Sequence, residues 1–306
     1  MPIAPSNEIQ ICYETIGNRD DPALLLVMGF TAQLINWDDA FCQALADRGR
    51  YVIRFDNRDC GLSTHLDGVA VDLAAVIDAY AGQGEMPPVP YLLPAFSDDA
   101  FGLLDHLGIE TAHIFGASMG GMIVQQMAIE HPERILSMTT VMSNTGEPDY
   151  SLSDPDAMAA LMTPPPIDRQ AFIPFSVDRG AVFSSPRYYD RAKAAARAAA
   201  SYDRAFYPEG AGRQLAAIRA SGDRAAGLRT LAVPTLVIHG AADTLVLPMG
   251  GERTAELIPG ANLLLLKDMG HDLPEPLWPL IVDATISHTT HCVGATASAP
   301  SPDQTA

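Results

Sequence analysis

Basic residues are scarce in this chain. Against 37 Asp and Glu stand 19 Lys and Arg, of which only Lys193 and Lys267 are lysines, and the formal charge is −18. A field of that sign repels nucleic acid and anionic membrane surfaces, so neither is expected as a partner. The acids are scattered, and their first task is to keep the surface solvated. Charged residues of both signs make up only 18% of the chain against 48% apolar, which excludes a disordered polyelectrolyte. Cysteine is equally sparse. Cys12, Cys42, Cys60 and Cys292 form no C-x-x-C pair, and no Cys/His set has zinc spacing, so neither disulfide nor metal is expected. No run reaches the ~18 apolar residues that span a bilayer, so no integral membrane association is expected. Met1–Gln10 lacks the basic and apolar regions of a signal peptide, so the expected location is the cytoplasm.

What is present is alternation. The 306 residues suffice for one large α/β domain with an insertion. Short apolar runs read as strands at Ile9–Tyr13, Leu24–Met28, Tyr51–Phe55, His113–Phe115, Met138–Met142, Leu236–His239 and Leu263–Leu266. Several are apolar throughout, as strands buried on both faces are. Between them lie helical patterns at Asp38–Arg48, Ser97–Leu107, Met119–Glu130, Gly251–Ile258 and Leu277–His288. This is the pattern of a mostly parallel sheet flanked by helices. The rhythm breaks over 146–230, which holds the Pro164-Pro165-Pro166 run and helical stretches at Pro186–Ser201 and Gly212–Ala220. That segment is expected to be a helical cap inserted between the two halves of a core at 1–145 and 231–288. From 289 to 306 Ala, Ser, Thr, Pro and Gly follow without period, and a disordered tail is expected.

The chemistry centres on Gly116-Ala117-Ser118-Met119-Gly120, a G-x-S-x-G pattern. The bare pattern says little. Its position says more, because an apolar strand-like run directly precedes it and a helix-like run follows. A Ser on so tight a turn needs small neighbours and presents its hydroxyl at the carboxyl end of the sheet. The following helix aims its N-terminal dipole at a developing oxyanion.

A serine hydroxyl needs a base. Of eight histidines, His106 and His131 fall on helices, His113 and His239 in or at the end of strands, His65 in an early loop, and His288 and His291 near the end of the chain. The chain order serine, acid, histidine leaves His271, in the loop after the last strand. Asp243 follows the strand Leu236–His239 and is expected to fix the imidazole. Asp268 and Asp272 are too close to His271 to bend back onto its ring, and the other acid position, after Met138–Met142, holds Ser143 and Asn144. The oxyanion donors are expected to be the backbone N–H groups of Met119 and Phe30.

Along nearly its whole length, from Ile9 to about His288, the chain resembles the α/β-hydrolase superfamily. More narrowly, Leu24–Gly29, the run Arg54-Phe55-Asp56-Asn57-Arg58-Asp59-Cys60-Gly61-Leu62-Ser63, Gly116–Gly121 and Gly270-His271 resemble the aclacinomycin methylesterases and the mycobacterial lipase-G-type carboxylesterases. The resemblance implies an α/β-hydrolase fold, Ser118, Asp243 and His271 as catalytic triad, and Phe30 and Met119 as oxyanion hole. Where many superfamily members have His-Gly, this chain has Met28-Gly29, and Asp59 stands where D-x-R-G-x-G-x-S would place Gly. The narrower group shares both features. Asp56 and Arg58 are read as stabilising a turn.

These readings converge on a serine hydrolase of carboxylic esters that needs no cofactor, forms an acyl-enzyme, and acts on neutral hydrophobic esters with a small alcohol portion. Trp37, Met142, Met162, Phe172 and Phe206 are expected to line the substrate site, with Met158, Phe175 and Tyr188 near it. A thioesterase, perhydrolase, C–C hydrolase or acyltransferase uses the same triad. A ligand receptor on the same fold, with little turnover, is the alternative of another class.

Overall fold

The computed structural model of the chain describes the backbone of residues 1–296 and the side chains of residues 1–290. In chain order the elements are β1 (Ile3–Ser6), β2 (Ile9–Ile16), β3 (Ala23–Val27), α1 (Asp39–Ala46), β4 (Tyr51–Phe55), α2 (Leu73–Tyr80), α3 (Leu93–His106), β5 (Ala112–Ala117), α4 (Met119–Glu130) and β6 (Ile135–Val141). Five helices follow: α5 (Pro155–Met162), α6 (Arg169–Phe183), α7 (Arg191–Arg204), α8 (Glu209–Ala220) and α9 (Ala225–Leu228). The sheet then resumes with β7 (Thr235–Gly240), α10 (Pro248–Leu257), β8 (Asn262–Leu266) and α11 (Trp278–Thr296).

The eight strands form one sheet in the order β1-β2-β4-β3-β5-β6-β7-β8. β2 runs antiparallel to both β1 and β4, and every pair from β4 to β8 is parallel. β3, β4, β5 and β7 are buried along their whole length, because helices cover both faces. One face packs Leu25, Ile53, Ile114, Ile123 and Met127 with α3 and α4. The other packs Leu24, Leu26, Val52, Phe115 and Ile238 with α1 and α11.

All seven expected strands are present, and Tyr51–Phe55 and Met119–Glu130 have the expected ends. β1 was not expected. It has four residues, one of them Pro5, a residue that a sheet tolerates at its edge. α5 and α6 also went unread, because the proline run between them and Pro174 within α6 interrupt any helical period. α7 begins at Arg191 rather than Pro186, where Asp190 caps it by accepting from Ala192 N and Lys193 N.

The expected tail from 289 is corrected in part. α11 continues to Thr296, and Thr289 is buried, its hydroxyl accepting from Arg50 Nε at 3.0 Å and Nη2 at 2.7 Å. A polar helix turn can dock through hydrogen bonds that leave no apolar period. Residues 297–306 of the expected tail lie outside the described residues.

Candidate active site

Ser118 stands between β5 and α4 with φ +55° and ψ −119°, a conformation that costs a residue with a Cβ of order 1–3 kcal/mol. The surrounding glycines are steric necessities. A Cβ on Gly116 would lie 2.1 Å from Gly120 O, and one on Gly120 2.0 Å from Val27 O. The turn is held from several sides. Ser118 N donates to Val141 O at 2.9 Å, and Ser118 O accepts from Gly121 N at 2.8 Å and from the Ser143 hydroxyl at 2.8 Å. Ser143, noted in the sequence only as a missing acid, thus braces this turn.

β8 ends at Leu266, and the loop beyond it carries His271 back over Ser118. His271 Nε2 lies 3.0 Å from Ser118 Oγ, and Nδ1 lies 2.9 Å from Asp243 Oδ2. With Nδ1 protonated toward the carboxylate, Nε2 is left to accept from the serine hydroxyl. Asp243 is 2% exposed. Its other oxygen accepts from Leu245 N and Val246 N, both at 2.9 Å, so the carboxylate is oriented before any substrate arrives. Three side chains separated by up to 153 positions are brought into one line.

Several neighbours were not legible from the sequence. His239 is fully buried, with Nε2 2.8 Å from Val246 O and 3.5 Å from Asp243 Oδ2. Burial lowers its pKa, which disfavours a charged ring there despite the nearby carboxylate. The His271 loop is gripped from the helical segment: His271 N donates to Phe183 O at 2.7 Å, Gly270 N to Ser185 Oγ at 2.9 Å, and Ser185 N and hydroxyl to Asp272 Oδ1. The Phe183 ring stands edge-on to His271, with centroids 6.1 Å apart. Such contacts span more than 80 positions, and no local pattern announces them.

Gly29 lies against Ser118, where a Cβ on it would come 3.1 Å from Ser118 Cβ and 3.6 Å from Oγ. Among the described residues the N–H groups of Phe30 and Met119 have no protein acceptor, while Thr31 N donates to Gln214 Oε1 at 2.9 Å and Ala32 N to Gly29 O. Asp59 adopts φ +60°, the left-handed region that glycine enters freely. Its carboxylate is held by Arg213, Tyr91 and Leu66 N. Asp56 accepts from Leu34 N and Leu62 N and pairs with Arg204, and Arg58 pairs with Asp99.

Of the expected lining residues, Phe172 and Phe206 come together with Tyr202 in an aromatic cluster, their centroids 5.2 Å apart. Met162 is half-buried at the end of α5. Met142 directly follows β6, beside the residue that receives Ser118 N, with φ +43°. Met119 packs its side chain into the core and leaves its backbone at the turn. Trp37 is corrected: it is 1% exposed, with its ring against Phe41 and Phe115 in the core on the α1 side. Its indole fills a gap between α1 and the sheet, so it lines no substrate surface.

Among the described residues no group of three or more His, Cys, Asp or Glu is arranged to hold a metal ion. No helix among them is long and apolar enough to cross a membrane.

Residues 22–275 match a family model described as alpha/beta hydrolase fold. The chain is 27% identical to the rhodomycin D methylesterase of a Streptomyces species, over 92% of this chain and 96% of that one. It is 26% identical to 3-oxoadipate enol-lactonase 2 of Acinetobacter baylyi, over 86% of each. Among solved structures, a meta-cleavage product hydrolase from Pseudomonas fluorescens superposes with a TM-score of 0.76 at 20% identity, covering 95% of this chain and 98% of that one. The enol-lactonase from Burkholderia xenovorans does so at 0.72 and 23%, covering 94% and 100%.

Proposed function

This chain belongs to the α/β-hydrolase fold family, and we propose that it is a serine carboxylic-ester hydrolase. The observation that carries this reading is the continuous line from Ser118 Oγ through His271 to Asp243, with both steps within 3.0 Å. In the proposed reaction Ser118 Oγ attacks the ester carbonyl carbon while His271 Nε2 takes its proton. The carbonyl oxygen becomes an oxyanion between the N–H groups of Phe30 and Met119, and Asp243 stabilises the imidazolium. Collapse expels the alcohol, which leaves with the proton from His271, and an acyl ester remains on Ser118. Water, deprotonated by the same imidazole, then attacks the acyl carbon. The acid is released and the serine regains its proton.

The segment 146–230 is proposed as a cap over this site, on the core formed by 1–145 and 231–288. Its grip on the His271 loop and its Phe172–Tyr202–Phe206 cluster support that division. The apolar and aromatic side chains of the segment and a charge of −18 favour neutral hydrophobic esters, with Met162, Phe172 and Phe206 proposed against the acyl portion and Met142, buried with the core at the end of β6, behind them. The methylesterase relative fits a small alcohol portion. A second reading of the acyl portion is favoured by one observation. Half-buried Arg179 on α6, one helical turn before Phe183, makes no ion pair or hydrogen bond among the described residues, and its guanidinium lies over the Phe175 ring. Burial lowers its pKa. An acceptor group on the acyl portion would satisfy it.

The test is hydrolysis of p-nitrophenyl esters with growing neutral acyl chains and one carboxylate-tipped chain, with thioesters alongside, together with fluorophosphonate labelling. Wild type is expected to turn over esters and to be labelled at Ser118, and Ser118→Ala to lose both while staying folded. Labelling at another residue, or no turnover of any ester by a labelled protein, overturns the reading in favour of a receptor.

A further inference from the structure

We propose that Gln214, on α8 of the helical segment, is a positioning residue for the oxyanion-binding turn at Phe30, an inference that rests on the esterase reading above. Gln214 is fully buried and makes two bonds in opposite directions. Its Oε1 accepts from Thr31 N at 2.9 Å, and its Nε2 donates to Arg58 O at 2.8 Å. The amide therefore bridges the apex of the turn after β3 to the loop after β4.

The turn needs a hold there. Thr31 has φ +57°, a region in which a β-branched side chain is crowded against its own backbone. Relaxation of that dihedral moves the neighbouring Phe30 backbone, whose N–H is the proposed oxyanion donor. The flanks of the turn have other anchors: Asn57 Nδ2 donates to Met28 O at 2.9 Å, Leu34 N to Asp56 Oδ1 at 2.7 Å, and Gln33 Nε2 to Ser201 O and Ala205 O at 2.7 Å. Beyond the Ala32 N to Gly29 O bond, which closes the turn on itself, only Gln214 among the described residues grips Thr31, the residue after Phe30. Placing this hold on a cap helix makes the aim of an oxyanion donor depend on how the cap is seated. Glutamine suits the task, since one neutral amide supplies both a donor and an acceptor without bringing a charge into the interior.

The experiment compares Gln214→Met with wild type, reading kcat and KM for p-nitrophenyl butyrate and the affinity of a trifluoromethyl ketone bearing the same acyl chain. The ketone, once attacked by the serine, places an oxyanion where the reaction does. Gln214→Met is expected to lower kcat by about 10- to 100-fold, part of the loss seen when an oxyanion donor is removed. It should weaken the ketone by the same factor and leave KM within about twofold. Gln214→Glu keeps an acceptor for Thr31 N and is expected to recover part of both. Ser221→Ala removes a tie from the other end of α8 to Leu93 N and is expected to leave both readouts at wild-type values. If Gln214→Met does not fold, Gln214→Asn, one methylene too short to span both partners, is read in the same way. Wild-type kcat in the Gln214 variant, a kcat loss without a matching loss of ketone affinity, or an equal effect of Ser221→Ala overturns the inference. An active wild type labelled at Ser118 beside an unaffected Gln214 variant sinks this inference alone, whereas an inactive, unlabelled wild type sinks the esterase reading.

Discussion

Asp243 is bonded on both oxygens, to two backbone N–H groups on one side and to His271 on the other. Neutralising it removes the partner that fixes the imidazole tautomer while leaving the shape intact. Asp243→Asn is expected to lower kcat by about 10⁴ with the thermal midpoint little changed, and nearly unchanged kcat would place the acid elsewhere. His113 makes a different prediction at the same scale. It is fully buried on β5, its Nδ1 2.8 Å from Ser137 Oγ, and burial holds its pKa down at about 4 against an ordinary 6.5. Between those two values the unfolded chain takes up a proton that the folded chain refuses. The stability His113 allows is therefore complete above about pH 6.5 and is lost as the pH falls toward 4. His113→Gln is expected to flatten the fall of the urea midpoint over that interval, and an unchanged slope would show that other groups carry it.

At the scale of elements, the same physics that hid the last turn of α11 makes it testable. Arg50 is buried, and three of its bonds go to the hydroxyls of Thr289 and Thr290. Among the described residues Arg50 Nε has Thr289 Oγ1 as its acceptor, so removing that hydroxyl leaves part of a buried guanidinium unpaired. Thr289→Val keeps the shape of the side chain and is expected to cost about 1–3 kcal/mol in urea unfolding. A variant as stable as wild type would show that the end of α11 contributes nothing there. The helices between β6 and β7 show a related point. α6 and the turn after it hold the His271 loop through Phe183 and Ser185, and α8 holds the Phe30 turn through Gln214. The segment expected from the sequence as a helical cap thus touches both the His271 loop and the Phe30 turn.

Across the whole molecule, the charge of −18 acts on encounter rather than on chemistry. Its reach is about 30 Å at 0.01 M salt and about 8 Å at 0.15 M. For a carboxylate-tipped ester, kcat/KM is expected to rise several-fold over that range as repulsion is screened, and for a neutral ester of the same length to stay constant. Equal salt responses would mean that the entrance to the site does not feel the global field.

Local patterns were enough to read the layers of the fold and the strand-turn-helix at Ser118, and to single out Asp243 and His271, which the fold brings beside it. Each depends on local facts: apolar runs long enough for a strand, glycines where a Cβ would strike backbone, and chain order along a parallel sheet. What surrounds them was set by long-range contacts. Trp37 became a core side chain because α1 closes over it, His239 came to lie beneath Asp243, and Ser143, Ser185 and Gln214 became braces through contacts 25, 85 and 183 positions long. Periodicity records which face of an element is apolar. It carries no record of which distant polar group will satisfy a buried N–H or carboxylate, because that partner is chosen only when the chain has folded.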